Sequence, residues 1–425
     1  MMSWTSRDLL GHRGVVPERP TKGPEMNREE RGSREYQALI GGHPEETLAE
    51  LRRQSPSFYE AMVEGTFGGT LATPELARAD REVATVAMLA ALGGAERQLA
   101  THVRAALHNG LAPSELRALA EHVSAYAGFP RAVNALDVVD EVLTAAGVRR
   151  PPTVRRIRVR DHDTVVAQLG ETGPAVVLVH ALGLDWRMWE PVMERLAEGR
   201  RVFAYDIRGH GRAAGSPTPF TMDDTAADLI AVLDALDLEE AHVVGLSYGG
   251  GIAQTAAVAH PQRFASLSLL ATTDFAFPSF EDRARSGEVD GMAAQVTPSL
   301  TRWFTPAALA VNGWGVRYAR ERVLRGNPAD WAGAWRAFKG LDVQGRLAGL
   351  AAAIPVLVLA GELDASTTPE IMSRIAERIP GATYVEMPGV PHMQSLEQPE
   401  ATAAALASFL PADDTRTAAD TTAVR

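Results

Sequence analysis

Residues 242–250 read His-Val-Val-Gly-Leu-Ser-Tyr-Gly-Gly, and they constrain the fold more than any other stretch of the chain. Gly245, Ser247 and Gly249 make a G-x-S-x-G pattern. An apolar β-type run, Val243-Val244, leads in, and a small-residue run through Gly251, Ile252, Ala253, Gln254 and Thr255 leads out as a helix. In that strand–turn–helix setting the serine sits on a sharp, strained turn, and the glycines let strand and helix approach each other. Its hydroxyl then stands clear of a sheet, with the next backbone N–H aimed at whatever it attacks. Without partners the same pattern is a glycine-rich turn carrying an idle serine.

The partners follow. A serine hydroxyl is a weak nucleophile at its free pKa and needs a base. The apolar run from Ile354 to Ala360 is β-like and is followed by Gly361, Glu362, Leu363 and Asp364, which sets a carboxylate past the strand's C-terminal edge. One strand later, from Ala382 to Met387, the loop Gly389-Val390-Pro391-His392 supplies an imidazole. The chain order Ser247, Asp364, His392 is that of α/β-hydrolases and differs from the orders of other serine hydrolases. His392 is expected to take the serine proton, and Asp364 to orient the ring and stabilise the imidazolium. Two N–H groups are needed for the oxyanion. One is that of Tyr248, directly after the nucleophile; the other is assigned to Leu182, in the loop His180-Ala181-Leu182-Gly183 after the strand Ala175-Val176-Val177-Leu178-Val179. His180 and His210 read as braces for their loops rather than as chemical groups.

Residues 155–410 resemble 3-oxoadipate enol-lactonases of the α/β-hydrolase family. The resemblance rests on the segment from His180 through Trp189 to Pro191, on Tyr205-Asp-Ile-Arg-Gly-His-Gly211, on Gly245-Leu-Ser-Tyr-Gly249 and on Arg302-Trp-Phe-Thr-Pro306. The first of these departs from the Asn-Ser-Leu-Gly usual in that group. Between about 275 and 350 the βα pattern lapses into helical stretches bearing Trp303, Trp314, Trp331 and Trp335. This insertion is expected to form a cap over the serine. Its tryptophans either line an apolar pocket or build the cap's own small core.

Before residue 150 the periodicity is helical. Leu99, His102, Val103, Ala106 and Leu107 fall on one helix face, Gly110 stops that helix and Pro113 opens the next. Residues 34–147 resemble γ-carboxymuconolactone decarboxylases, on Ala90-Ala-Leu-Gly-Gly94, on the segment from His102 to Gly110 and on Tyr126-Ala-Gly-Phe-Pro130. A related branch carries peroxidatic cysteines where this chain has Ala95 and Gln98, so thiol peroxidase chemistry is excluded. The resemblance implies a catalytic His102, suited to proton transfer near neutral pH, with Glu82 as its partner, and assembly as a trimer or hexamer. Taken alone, His102 reads as a satisfied core histidine and Glu82 as a group near a helix N-terminus. Arg97, Arg104 and Arg131 could hold carboxylates but read more simply as solvated charges.

With 425 residues, two or three domains are expected. A net charge of −11 argues against nucleic-acid binding, and the absence of cysteine excludes disulfides and thiol chemistry. No membrane span and no signal-peptide core are evident, so a cytoplasmic location is expected. The organisation expected is a disordered 1–33, an all-α carboxymuconolactone decarboxylase-like domain over 34–147, a linker over 148–158 stiffened by Pro151-Pro152, an α/β-hydrolase fold with a helical cap over 155–410, and a disordered tail over 411–425. The resulting expectation is a cofactor-free, metal-free enzyme. It would open a small-molecule lactone or ester, with a decarboxylase-like step in the helical part and a homo-oligomer built through it. Perhydrolase or C–C hydrolase chemistry, a helical part that is only an oligomerisation scaffold, and a non-catalytic receptor are the alternatives.

Overall fold

The computed structural model describes residues 26–41, 44–148 and 150–411. They fall into two compact units: one holds the described residues up to Asn109 with Leu119–Ala135, the other Gly110–Ala118 with the residues from Leu136 onward. The helical segment expected to end at 147 is therefore divided within its last two helices. Most of residues 1–33 and almost all of 411–425 lie outside the described residues. The part that is described, from Met26, is not featureless: Asn27 accepts a hydrogen bond from the Glu30 backbone N–H at 2.8 Å and caps a helix that starts at Arg28.

The first part of the chain is helical: α1 (Arg28–Ile40), α2 (Pro44–Gln54), α3 (Pro56–Glu60), α4 (Arg78–Leu92), α5 (Glu96–His108), α6 (Pro113–Ala127) and α7 (Phe129–Ala145). A π-helical segment, Ala61–Phe67, continues α3. Leu99, Val103 and Ala106 of α5 are buried, on the face that their spacing requires.

The second part is built on one eight-stranded sheet, with β1 (Thr153–Val159), β2 (His162–Leu169), β3 (Ala175–Val179), β4 (Arg201–Tyr205), β5 (Ala241–Leu246), β6 (Phe264–Leu270), β7 (Val356–Gly361) and β8 (Thr383–Met387) in the order β1-β2-β4-β3-β5-β6-β7-β8. β1 starts inside the expected linker. β2 pairs antiparallel with β1 and β4; β4, β3, β5, β6, β7 and β8 are parallel. β3, β5, β6 and β7 are buried along their whole length, as a parallel sheet covered on both faces demands. The covering helices are α8 (Glu190–Leu196), α9 (Met222–Ala235) and α10 (Tyr248–Ala259). α11 (Phe280–Trp303), α12 (Pro306–Val311), α13 (Trp314–Leu324) and α14 (Pro328–Lys339) form the insertion between β6 and β7, close to the bounds expected for the cap. α15 (Pro369–Arg378), α16 (Gln394–Glu397) and α17 (Pro399–Phe409) complete the chain. In such sheets ligands bind beyond the C-terminal ends of the parallel strands, and Ser247, Asp364 and His392 follow β5, β7 and β8.

Candidate active site

Ser247 stands between β5 and α10 with φ 55° and ψ −116°, a backbone conformation that L-residues avoid. The turn is held by the Ser247 N–H donating to the Leu270 carbonyl at 2.9 Å and by the Thr272 hydroxyl donating to the Ser247 carbonyl at 2.7 Å. Both motif glycines are required by space. A Cβ at Gly245 would sit 2.3 Å from the Gly249 carbonyl oxygen, and one at Gly249 would sit 2.2 Å from that of Val179.

Nε2 of His392 lies 3.1 Å from Oγ of Ser247, and Nδ1 lies 2.8 Å from Oδ2 of Asp364. Asp364 also accepts from the Ser366 N–H at 2.7 Å, the Thr367 N–H at 3.0 Å and the Thr367 hydroxyl at 2.7 Å. Burial pushes its pKa up, but the adjoining His392 and the bonds from His392 and Thr367 outweigh that and hold it below the usual carboxylate value. An ionised Asp364 fixes the tautomer with Nδ1–H toward itself, which leaves Nε2 to accept the serine proton. Tyr248 is the first residue of α10, where an N–H has no acceptor one turn back. Leu182 lines the same cleft as Ser247 and His392. His180 is a brace: Nδ1 is 2.8 Å from the Ala181 carbonyl, and Nε2 accepts from the Ile207 N–H at 2.9 Å. Burial and the charge of His210 push its pKa down to about 3, so the ring is neutral. His210 is likewise tied, with Nδ1 3.0 Å from the Arg208 carbonyl.

Two of the cap tryptophans, Trp303 and Trp335, line this cleft together with Phe277, Phe280 and Phe338. Trp314 does not; it stacks on Tyr318 with ring centres 5.1 Å apart. The charged lining residues that escaped the sequence reading as site groups are Arg283 and Arg302 of α11.

In the helical part, Nδ1 of His102 on α5 lies 3.0 Å from Oε2 of Glu82 on α4. Glu82 has no exposed side-chain surface, whereas His102 is partly exposed. Glu82 sits past the first helical turn, whose acidic residue is Asp80. The helix-terminus reading of Glu82 therefore gives way to a buried partner for His102. Arg97, Arg104 and Arg131 are exposed, and Arg131 donates to the Leu92 carbonyl. A cavity lined by Leu89, Gly93, Glu96, Leu99, Arg131 and Asn134 among others does not include His102 or Glu82 in its wall.

A serine, a histidine and a carboxylate in a hydrogen-bonded row at the ends of parallel strands, under a helical cap, define the class. The chain belongs to the alpha/beta hydrolase fold family, whose model matches residues 174–399. Within that family it is similar to 3-oxoadipate enol-lactonase 1 of Acinetobacter baylyi, at 32% identity over 54% of this chain and 86% of that protein. Among solved structures, the enol-lactonase from Burkholderia xenovorans LB400 matches at 27% identity with a TM-score of 0.58, covering 60% of this chain and 99% of that one. A thermophilic esterase from Thermogutta terrifontis, solved with malate bound, matches at 28% identity with a TM-score of 0.56, covering 60% and 97%. Residues 56–141 match the carboxymuconolactone decarboxylase family, so the helical part carries a domain of that kind. Among the described residues no helix is long and apolar enough to cross a membrane.

Proposed function

We propose that this chain is a bifunctional, cofactor-free enzyme of the cytoplasm that decarboxylates a carboxymuconolactone-like substrate and then opens the resulting enol-lactone. The observation that carries the second step is the unbroken row Ser247–His392–Asp364, at 3.1 and 2.8 Å. His392 takes the Ser247 proton as Oγ attacks the lactone carbonyl, and the N–H groups of Tyr248 and Leu182 hold the oxyanion. The ring C–O bond breaks, the enolate oxygen leaves with the proton from His392, and the enol becomes a ketone. Water, deprotonated by His392, then releases the second carboxylate from Ser247.

For the first step, the ring's conjugated carbonyl accepts the electron pair left as CO₂ departs, and a protonated His102 supplies the proton to carbon. Buried Glu82 holds His102 in place through Nδ1 and leaves Nε2 for the transfer. The exposed side of α4, with Met88 63% and Leu92 67% accessible, supports self-association through the helical part.

The test is 4-carboxymuconolactone supplied to the intact protein, with CO₂ and 3-oxoadipate followed together. Both should appear. Ser247→Ala should release CO₂ and stop at the enol-lactone, whereas His102→Ala should lose CO₂ release yet open enol-lactone supplied directly. Lactone opening without any CO₂ would reduce the helical part to a scaffold. Turnover of other esters alone would remove this substrate.

A further inference from the structure

The cleft that holds Ser247 and His392 is lined by two arginines and by no carboxylate. Arg283 lies near the start of α11 and Arg302 at its end, nineteen residues on. In a straight helix they would be about 28 Å apart. They nevertheless line one cleft, and α11 is not straight: it breaks at Gly291, where φ 76° and ψ 173° interrupt the helix. A side chain bearing Cβ is strained at that φ.

Both guanidiniums lack an ion pair among the described residues, whereas Arg322 pairs with Asp185, Arg336 with Glu281 and Glu288, and Arg208 with Asp161 and Asp228. Arg283 is held by π faces instead, its guanidinium carbon 4.8 Å from the Trp335 ring centre and 5.8 Å from that of Phe280. Burial pushes the Arg302 pKa down, to about 10, and the nearby charge of Arg283 adds to this, so both remain cations at neutral pH. Burial likewise lowers that of Arg283. Bringing two cations partly out of water with no counter-charge is costly. An anion between them would supply the missing charge and accept forked hydrogen bonds.

We propose that Arg283 and Arg302 form a seat for a carboxylate on the acyl part of the substrate, so that the hydrolase selects anionic lactones or esters over neutral ones of equal size. This rests on the hydrolase reading for its reacting carbonyl, but the seat itself can be tested without turnover. Glutarate, a dianion with a carboxylate at each end of a short chain, is the probe, titrated into full-length Ser247→Ala protein by calorimetry. It should bind at least tenfold more tightly than dimethyl glutarate. Arg302→Met and Arg283→Met should each weaken glutarate at least tenfold, and Arg302→Lys, which keeps the charge, should restore part of the loss. Glutarate binding no tighter than the diester, or equally tight in both Met variants, would overturn the proposal. In turnover, the ratio of kcat/KM for the p-nitrophenyl monoester of glutarate to that for p-nitrophenyl butyrate should exceed ten and collapse in Arg302→Met. If no ester is hydrolysed while glutarate binding still depends on both arginines, the hydrolase reading fails and the seat stands. If both esters are hydrolysed alike and glutarate does not bind, the seat fails and the hydrolase stands.

Discussion

The carboxylate of Glu82 is fully buried against the ring of His102, with Oε2 3.0 Å from Nδ1. A buried carboxylate with a histidine as its neighbour is an arrangement that can orient an imidazole for proton transfer, the role proposed above for Asp364 beside His392 at 2.8 Å. The consequence is specific. His102→Ala should slow CO₂ release by ~10²–10⁴, the usual worth of a general acid or base. Glu82→Gln, which keeps the shape and removes the charge, should slow it less and leave lactone opening as it was. Release assays with ¹³C-labelled substrate measure both; an unchanged rate in His102→Ala would remove the histidine from the chemistry.

The exposed face of α4 should be an interface. Ala84, Met88 and Leu92 recur at every fourth position, so they form one apolar stripe. Tyr126, 84% accessible, and Phe129, 76% accessible, add exposed aromatic surface in the same unit. Met88→Glu with Leu92→Glu should convert the assembly to monomers by light scattering. An intact protein that is already monomeric at micromolar concentration contradicts the reading.

His180 should act as a neutral brace, and its contribution has a sign. Its folded pKa, about 3, lies below the unfolded value near 6.5. The unfolded chain therefore binds more protons below about pH 6.5, and the histidine's contribution is present above that pH and shrinks as pH falls toward 3. Comparing unfolding of the protein with that of His180→Gln cancels groups of opposite sign. Asp206 is such a group, its pKa raised by burial and by the charge of Asp185. The stability gap between protein and variant should narrow by about 2 kcal/mol from pH 6.5 to 5. A gap that is constant or widens would mean that the ring is not kept neutral.

Much of this was legible because the chemistry is local. Ser247 lies in a strand–turn–helix that Gly245, Gly249 and the apolar run before them specify, and Asp364 and His392 follow short β-type runs that composition marks. The cap was visible as a lapse in βα periodicity between Asp274 and Ala353. The pairing of Arg283 with Arg302 was not, since the two are nineteen residues apart on a segment with Gly287, Gly291 and Pro298, and the sequence does not say at which of these the helix breaks. From the sequence Glu82 reads as a helix-terminus residue, because its partner is twenty residues away on another helix. The helix from Arg28 had a readable signal in Asn27 and Glu30, which a stretch rich in Gly, Pro, Arg and Glu concealed.

The central claim is that Ser247 is the nucleophile, and the most direct measurement is kcat of Ser247→Ala on the best lactone or ester, alongside a rapid-quench mass spectrum of the unmodified protein. Residues of a triad act as a unit, with losses of order 10⁶ when the nucleophile is removed. A loss of about that size is expected with the fold intact by circular dichroism, together with a transient acyl mass on the peptide carrying Ser247. More than a few per cent of kcat remaining in Ser247→Ala, or an acyl mass on another residue, would contradict it.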